Sequence, residues 1–261
     1  MQQRHKNTKQ YSDEQAHSTR EYIIPFVERA GKINLPFSVL EIGCGEAGNL
    51  LPFADMGCRT VGIDYSERKI QQAKKNYAGH PNSENIRLVC SDIYDSTDDF
   101  GTFDLVMVRD VIEHIHGHER FLQAIKKYMN GQTLAFFAFP PWQNPFGGHQ
   151  QMCKSAFLSK LPYFHLLPTT IYARLMRIFG EEQATVDGLL EIKKTRISIE
   201  KFERLLRENY VILQKTLYFI NPNYEVKFGL KPRKLWNSLA KIVYVRNFYC
   251  TCGYYLLKLC Y

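Results

Sequence analysis

No run of about 18 apolar residues occurs in this 261-residue chain, so no membrane-spanning helix is predicted. The opening residues are polar and contain no apolar core, so we expect no signal peptide and a cytoplasmic protein. Internal repeats and low-complexity stretches are missing as well. The seven cysteines are an odd number with no second pair at zinc-ligand spacing, which argues against a disulfide framework and a structural zinc site. What remains is the composition of an ordinary globular enzyme, with 45% hydrophobic and 23% charged residues.

The charge is unevenly distributed along the chain. The net charge of +8 and the pI near 9.0, taken over all residues, would favour nucleic acid or an anionic surface as a partner. Residues 1–150, however, hold 16 basic and 18 acidic residues, a net of −2, which leaves 18 basic and 8 acidic residues, a net of +10, for residues 151–261. The basic excess is therefore entirely C-terminal.

Apolar runs alternate with amphipathic helical patterns in the first half of the chain, as in a parallel sheet with helices on both faces. The same reasoning predicts two antiparallel edge strands near the C-terminus. Together these patterns predict an α/β, doubly wound, Rossmann-like fold with a seven-stranded, mostly parallel sheet. The predicted strands cover residues 38–42, 59–63, 86–90, 103–108, 132–139, 211–220 and 247–259, and the predicted core helices cover residues 49–56, 67–77 and 119–128.

The alternation stops at Pro140-Pro141, which predicts a change of organisation there. Ser198 then precedes a new amphipathic helix at the position of an N-cap. We therefore divide the chain into an N-terminal helical segment (1–36), a ligand-binding core (37–139), a helical insertion or lid (140–197), and a C-terminal helix with edge strands that complete the core (198–261).

A glycine-rich loop follows the first predicted strand. Gly43, Gly45 and Gly48 satisfy the pattern G-x-G-x-x-G, and Asp64 ends the second strand at the place of a ribose-binding carboxylate. This pattern alone suits a dinucleotide, but Glu41 and Glu46 would repel its pyrophosphate. The same two carboxylates attract the sulfonium and ammonium groups of S-adenosylmethionine, which carries no phosphate. We therefore predict S-adenosylmethionine as the cofactor.

Four segments in order make residues 37–140 resemble the class I S-adenosylmethionine-dependent methyltransferases, in particular the small-molecule, ubiquinone-pathway-like O-methyltransferases. These segments are VLEIGCGEAGNL, GIDYS, CSDIYD and FDLVMVRDVIEHI. The resemblance implies a methyltransferase in which Glu41 and the turn Gly43-Cys44-Gly45 hold the methionine end of the cofactor. It further implies that Asp64 binds the ribose, Tyr65 and Ile93 flank the adenine, and Asp92 binds its amino group. Arg109 would approach the cofactor's carboxylate.

The segment after the fourth strand carries the predicted chemistry. His114 is the first candidate for a general base, because imidazole titrates near neutral pH. Asp110, Glu113 and His114 are spaced to share one face of a helical turn, and Glu113 is a second catalytic candidate. His149 in the loop FGGHQ is a third. We predict a metal-free acid-base role for these residues, while the resemblance to the E-x-x-E-H segment of metal-dependent O-methyltransferases leaves a divalent cation open. A capping or structural role for Asp110, Glu113 and His114 is a third alternative.

The sequence leaves several functions open. The leading hypothesis is methyl transfer to a small-molecule acceptor, with an oxygen as the expected acceptor atom. One alternative is a nucleic-acid methyltransferase that grips phosphates with the basic C-terminal half. A second is a non-catalytic cofactor-binding module, and a variant of the first hypothesis rests the C-terminal end on an anionic membrane. The sequence alone makes no prediction of the oligomeric state.

Overall fold

In the computed structural model, residues 8–30, 36–95 and 99–260 are described. Their eight strands form one sheet in the order β3-β2-β1-β4-β5-β8-β6-β7. The strands are β1 (Ser38–Ile42), β2 (Arg59–Asp64), β3 (Ile86–Cys90), β4 (Leu105–Arg109), β5 (Leu134–Phe139), β6 (Tyr210–Ile220), β7 (Arg233–Lys234) and β8 (Cys252–Leu259). The first five pair in parallel, and the last three pair antiparallel. The predicted doubly wound α/β fold is thereby confirmed.

The α-helices lie before, between and after these strands. They are α1 (Thr8–Ser18), α2 (Ile24–Glu28), α3 (Leu51–Asp55), α4 (Glu67–Tyr77), α5 (His118–Ala124), α6 (Thr169–Ile178), α7 (Gln183–Thr195), α8 (Ile199–Leu206), α9 (Asn223–Phe228), α10 (Asn237–Ala240) and α11 (Arg246–Tyr249). None of the helices in the described ranges is long and apolar enough to cross a membrane. Ser198 caps α8 as predicted, because its Oγ accepts a hydrogen bond from the amide of Lys201 at 3.0 Å.

The central strands form because their residues are apolar on both faces. Every residue of β4 is buried, and so are five of the six residues of β5. One apolar cluster packs on each face of the sheet, which is the arrangement that parallel strands require. A third, smaller cluster lies within residues 153–189 and includes Phe164, Tyr172 and Met176, so several aromatic residues of this segment form a core of their own.

The prediction of seven strands is wrong, because the sheet has eight. The additional strand, β7, consists of Arg233 and Lys234, which pair with the outer part of β6. Two exposed basic residues carry no apolar alternation, so no sequence pattern marks this strand. The predicted strand over residues 247–259 is also too long, since residues 246–249 form α11 and β8 begins at Cys252.

The carboxyl ends of the parallel strands meet at one edge of the sheet, which we call the ligand edge. The glycine loop follows β1, Asp64 ends β2, and the segment with His114 follows β4. Strand β8 runs in the opposite direction and begins at this same edge, where Gly253 pairs with Phe139 at the end of β5. The segment before β8 therefore also lies at the ligand edge.

Candidate active site

The glycine loop makes a tight turn at the end of β1. Gly43 and Gly45 have positive φ angles of 72° and 56°, a conformation that glycine adopts without strain. A Cβ atom on Gly43 would lie 2.4 Å from Cγ2 of Val111, so the loop packs directly against the segment after β4. A Cβ atom on Gly45 would meet nothing within 4 Å. The loop therefore offers an open side at Gly45, where a ligand can approach the backbone.

The third glycine of the motif serves packing. A Cβ atom on Gly48 would lie 2.3 Å from the carbonyl oxygen of Ser12, so α1 rests on the loop. Tyr11 on the same helix interacts electrostatically with Asp110 and Arg109, and burial raises the pKa of its hydroxyl. The N-terminal helix thus contributes to the site, which the sequence did not indicate because no motif links residues 8–18 to the loop.

Glu41 lies at the bottom of the site and is almost fully buried. Its Oε1 accepts a hydrogen bond from Nδ2 of Asn49 at 2.5 Å. Its Oε2 is buried and has no hydrogen-bond partner among the described residues. An unpaired buried carboxylate oxygen is costly, and a cationic ligand group would satisfy it. The site therefore fits the cationic methionine end of S-adenosylmethionine, as the sequence predicts for Glu41.

Arg109 ends β4 beside the glycine loop, and its approach to the cofactor's carboxylate stays a prediction. Its guanidinium is buried, donates to Oδ1 of Asn49 at 2.6 Å, and lies 3.5 Å from a carboxylate oxygen of Asp110. Asn49 also accepts a hydrogen bond from Oγ1 of Thr19 at 3.0 Å. Asn49 thus joins Glu41, Arg109 and the helical turn Thr19–Ile23 that follows α1. The sequence reasoning missed Asn49, because a single asparagine after a glycine loop carries no distinctive pattern.

Asp64 lies where the sequence predicts it, against the glycine loop. One carboxylate oxygen accepts from the amide of Gly45 at 2.9 Å, and the other accepts from the amide of Ser66 at 2.9 Å. Each carboxylate oxygen has a second lone pair, so these bonds leave acceptor capacity for a ribose hydroxyl. The structure therefore gives Asp64 a role in shaping the loop, and ribose binding stays a prediction.

The predicted adenine-binding residues lie beside one another, because Asp64 pairs with Cys90 across β2 and β3. Tyr65 is 79% exposed, Asp92 is exposed, and Ile93 is buried. Asp92 accepts a hydrogen bond from the amide of Tyr94 at 2.9 Å. The side chain of Cys44, by contrast, is buried with its Sγ against Gly62. Cys44 therefore contributes only its backbone to the surface of the glycine loop.

Three predicted catalytic residues converge near the glycine loop. Ligand atoms of Glu113, His114 and His149 all lie within 4.8 Å of one another. The rings of His114 and His149 meet edge to face with centroids 4.8 Å apart. Oε2 of Glu113 is buried and has no hydrogen-bond partner among the described residues. One carboxylate and two imidazoles therefore face a common point.

The electrostatics of this cluster follow from burial. Burial raises the pKa of Glu113 well above its usual value, and the negative charge of Asp110 raises it further. Burial lowers the pKa of His149 to about 3, and the neighbouring His114 lowers it further. Partial desolvation of the His114 ring lowers its pKa as well, although the side chain keeps contact with solvent. Both imidazoles are therefore neutral at pH 7, with lone pairs available for a proton or a cation.

The predicted placement of Asp110 on the same helical turn is wrong. Only residues Ile112–His114 form a helical turn, of the 3₁₀ type, and Asp110 precedes it with a positive φ of 53°. Its carboxylate pairs with Arg109 instead of joining the cluster. Gly117, with a φ of 72°, separates His116 from His118, and His116 pairs with Glu191 at the surface.

Close packing of two glycines positions His149. A Cβ atom on Gly147 would lie 2.2 Å from the carbonyl oxygen of Trp142, and one on Gly148 would lie 2.1 Å from Cβ of His165. His165 in turn bonds through Nε2 to the carbonyl oxygen of Trp142 at 2.7 Å. The loop is thus folded tightly on itself, which holds His149 against His114 across 34 intervening residues.

Glu41 predicts a pH dependence of cofactor binding. Burial raises the pKa of Glu41 to about 8, so this carboxyl is protonated at pH 7 before a cation binds. A cationic ligand favours the carboxylate, so we expect binding of S-adenosylmethionine at pH 7 to release close to one proton. Isothermal titration calorimetry in buffers of different ionisation enthalpy measures this release. Glu41→Gln should abolish it.

The same raised pKa affects stability in a defined direction. Between the ordinary pKa of 4.5 and the folded value of about 8, the folded state holds a proton that the unfolded state has lost. The contribution of Glu41 to the free energy of unfolding should therefore fall by up to about 1.4 kcal/mol for each pH unit as the pH rises through this range. A ligand-binding step without proton release, or a Glu41→Gln variant with the wild-type pH dependence, would contradict the prediction.

The first half of the chain is similar to known methyltransferases. The sequence model of a family described as a methyltransferase domain matches residues 15–161, just over half of the chain. A ubiquinone biosynthesis O-methyltransferase of Bartonella tribocorum is 31% identical over 109 residues, which are 40% of this chain and 42% of that protein. The corresponding enzyme of Rhizobium etli is 35% identical over 102 residues, which are 38% of this chain and 40% of that protein. The matches thus span less than half of these relatives.

Among solved structures, the plantazolicin methyltransferase BpumL in complex with SAH superposes with a TM-score of 0.52 at 13% identity. The superposition covers 96% of this chain and 84% of that chain, and at this identity it supports the fold alone. The family match confirms the predicted methyltransferase class, for which S-adenosylmethionine is the predicted methyl donor. The chain therefore belongs to the methyltransferase domain family.

Proposed function

We propose that this chain transfers a methyl group from S-adenosylmethionine to an oxygen of a small-molecule acceptor at the ligand edge. The observation that carries the proposal is the convergence of Glu113, His114 and His149 within 4.8 Å, beside the glycine loop. Methyl transfer needs an aligned acceptor, and a hydroxyl acceptor must also lose its proton. Two neutral imidazoles at this place suit a hydroxyl, which is a weak nucleophile until it loses its proton, better than a neutral amine, which can attack before it loses one.

His114 is the proposed base. Its lowered pKa keeps the imidazole neutral at pH 7, and its exposed edge lets an acceptor approach. Glu113 and His149 lie deeper and would hold the acceptor hydroxyl or the ring of His114 in place. The names of the two ubiquinone biosynthesis O-methyltransferase relatives support an oxygen acceptor, although the match covers 42% or less of each of them.

A divalent cation is the second candidate for this cluster. One carboxylate and two imidazoles are a donor set that binds first-row divalent metals, and Oε2 of Glu113 lacks another partner among the described residues. Such a cation, when bound, would lower the pKa of a coordinated acceptor hydroxyl. Glu113, His114 and His149 would hold it, while Asp110 would stay with Arg109.

Metal binding can be tested on the purified chain. If a cation occupies the cluster, calorimetry with Mn²⁺ shows a single site that Glu113→Gln abolishes, since the variant removes the carboxylate ligand. Glu119→Gln is the matched control, because Glu119 is exposed at the start of α5. In that case turnover also falls on chelation and returns with added Mn²⁺. Turnover that is unchanged after chelation would contradict a role for a divalent cation at the cluster and leave the cluster with an acid-base role alone.

A search of a whole metabolite extract identifies the acceptor. The purified chain and S-adenosylmethionine are added to the extract, and mass spectrometry follows molecules that gain one methyl group. We expect a methylated hydroxyl compound together with S-adenosylhomocysteine. Methylated RNA in the same extract would favour the nucleic-acid alternative, and no S-adenosylhomocysteine would favour a non-catalytic cofactor-binding module.

A further inference from the structure

A second surface feature lies outside the proposed active site. Residues 242–245, which we call the apolar tip, are Ile-Val-Tyr-Val, and all four are exposed. In a regular helix or strand of a folded protein, some of four consecutive apolar residues would face the core. These four lie in an irregular turn at the surface, and none of them is buried in the core. Trp236, Phe248 and Tyr249 are exposed on either side of the tip.

Hydrogen bonds to Glu200 on α8 hold the apolar tip and the residues after it in place. Oε1 of Glu200 on α8 accepts hydrogen bonds from the amide of Tyr244 at 3.0 Å and from Nε of Arg246 at 2.9 Å. Its Oε2 accepts from Nδ2 of Asn247 at 2.6 Å, and Oδ1 of Asn247 accepts from the amide of Ile199 at 2.9 Å. Tyr244 has a positive φ of 65°, which this network maintains. Polar groups beneath the tip therefore hold it in place, and its apolar side chains face solvent.

The chain on either side of the tip is basic. Residues 221–261 contain seven basic residues and one acidic residue, Glu225. Four of the basic residues are exposed near the tip in sequence, namely Lys231, Arg233, Lys234 and Lys241. Exposed aliphatic residues with tryptophan, tyrosine and surrounding lysine or arginine are the composition of proteins that bind the interface of an anionic bilayer.

We propose that the apolar tip and its basic surroundings dock on a membrane that contains anionic lipids. Ile242 and Val243 enter the interface, Trp236 and Tyr244 lie at the headgroups, and the basic side chains contact the anionic groups. A small exposed apolar tip suits a bilayer, which accepts an apolar side chain at any point of its surface. Charge complementarity selects an anionic membrane over a neutral one.

The position of the tip relates it to the active site. It precedes β8, which begins at the ligand edge. The hydroxyl of Tyr163 donates to the carbonyl oxygen of Phe248 at 3.0 Å, and the amide of Tyr163 donates to the carbonyl oxygen of Pro145 at 2.7 Å. Pro145 belongs to the loop that carries His149. Docking would bring this loop near the bilayer, where an acceptor dissolved in the lipid could reach it. This consequence for the acceptor rests on the proposed function, whereas membrane binding does not.

Vesicle co-sedimentation of the full chain tests the proposal. The vesicles contain phosphatidylcholine alone or phosphatidylcholine with phosphatidylglycerol. We expect the wild type to sediment with the anionic vesicles, to stay in solution with the neutral ones, and to dissociate as salt is added. Val243→Asp should weaken anionic-vesicle binding by roughly tenfold or more, because it places a charge in the interface. Lys241→Glu should weaken it as well.

Val211→Asp is the matched control. Val211 is 47% exposed and Val243 is 52% exposed, so the same substitution changes similar surface. Val211 pairs with Lys258 near the other edge of the sheet, away from the ligand edge. We expect it to leave vesicle binding unchanged, and near-ultraviolet circular dichroism checks that both variants are folded.

Five results would overturn the proposal. The wild type could fail to sediment with anionic vesicles, or it could bind neutral vesicles equally well. Val243→Asp and Val211→Asp could bind vesicles equally. Binding of RNA in place of vesicles would assign the basic residues to nucleic acid. A dimer in solution that Val243→Asp dissociates would assign the tip to a second copy of the chain.

Discussion

His114→Ala should lower turnover by about 10²- to 10⁴-fold while leaving the affinity for S-adenosylmethionine unchanged. The reason is geometric: His114 lies with Glu113 and His149 on the acceptor side, whereas the predicted contacts of the cofactor begin at Glu41 and the glycine loop. Turnover is measured as S-adenosylhomocysteine formed with the acceptor found in the extract, and cofactor affinity is measured by calorimetry.

His116→Ala is the control for this variant. His116 is two residues away, and it pairs with Glu191 at 3.4 Å on the surface. We expect it to keep wild-type turnover. The assignment of His114 fails if both variants keep wild-type turnover, or if His114→Ala loses cofactor affinity as much as turnover. His149→Ala adds a distinction: a loss equal to that of His114→Ala favours the cation, since both residues would be ligands.

The parallel half of the fold could be predicted because its strands are buried on both faces. Strands such as β4 and β5 are short continuous apolar runs, and the chain between them has the periodicity of helices. Near the C-terminal end of the chain, tertiary contacts determine the secondary structure. Residues 246–249 carry the aromatic composition of a strand, yet hydrogen bonds from Arg246 and Asn247 to Glu200 hold them as α11. A tertiary contact thus overrides local preference.

The sequence predicted which residues lie together where those residues are neighbours in one motif. The glycine loop and the pair Glu113-His114 lie in continuous motifs, so spacing sufficed to find them. Asp110 was misplaced because its left-handed backbone breaks the assumed helical turn. Asn49 and Tyr11 enter the site through contacts with distant segments, and spacing along one chain contains no signal for such contacts.

Asp64→Ala should weaken the binding of S-adenosylmethionine by roughly 10- to 100-fold, which corresponds to about 1.5–3 kcal/mol for a hydrogen bond to a charged group. Two effects act in the same direction. The variant removes the carboxylate predicted to bind the ribose, and it frees the amide of Gly45, which that carboxylate fixes at 2.9 Å. Calorimetric titration measures the affinity, and turnover at saturating cofactor should stay near that of the wild type.

Asp104→Ala is the control that distinguishes an effect on cofactor binding from an effect on general stability. Asp104 also fixes a loop by accepting hydrogen bonds from the amide and hydroxyl of Ser38 at 2.8 Å, but it does so where β1 begins, at the edge of the sheet opposite the ligand edge. Both variants remove a carboxylate that bonds to backbone, so both should lower the melting temperature. Only Asp64→Ala should lower cofactor affinity. If Asp104→Ala weakens cofactor binding equally, the effect of Asp64 is one of stability, and its assignment to the cofactor is wrong.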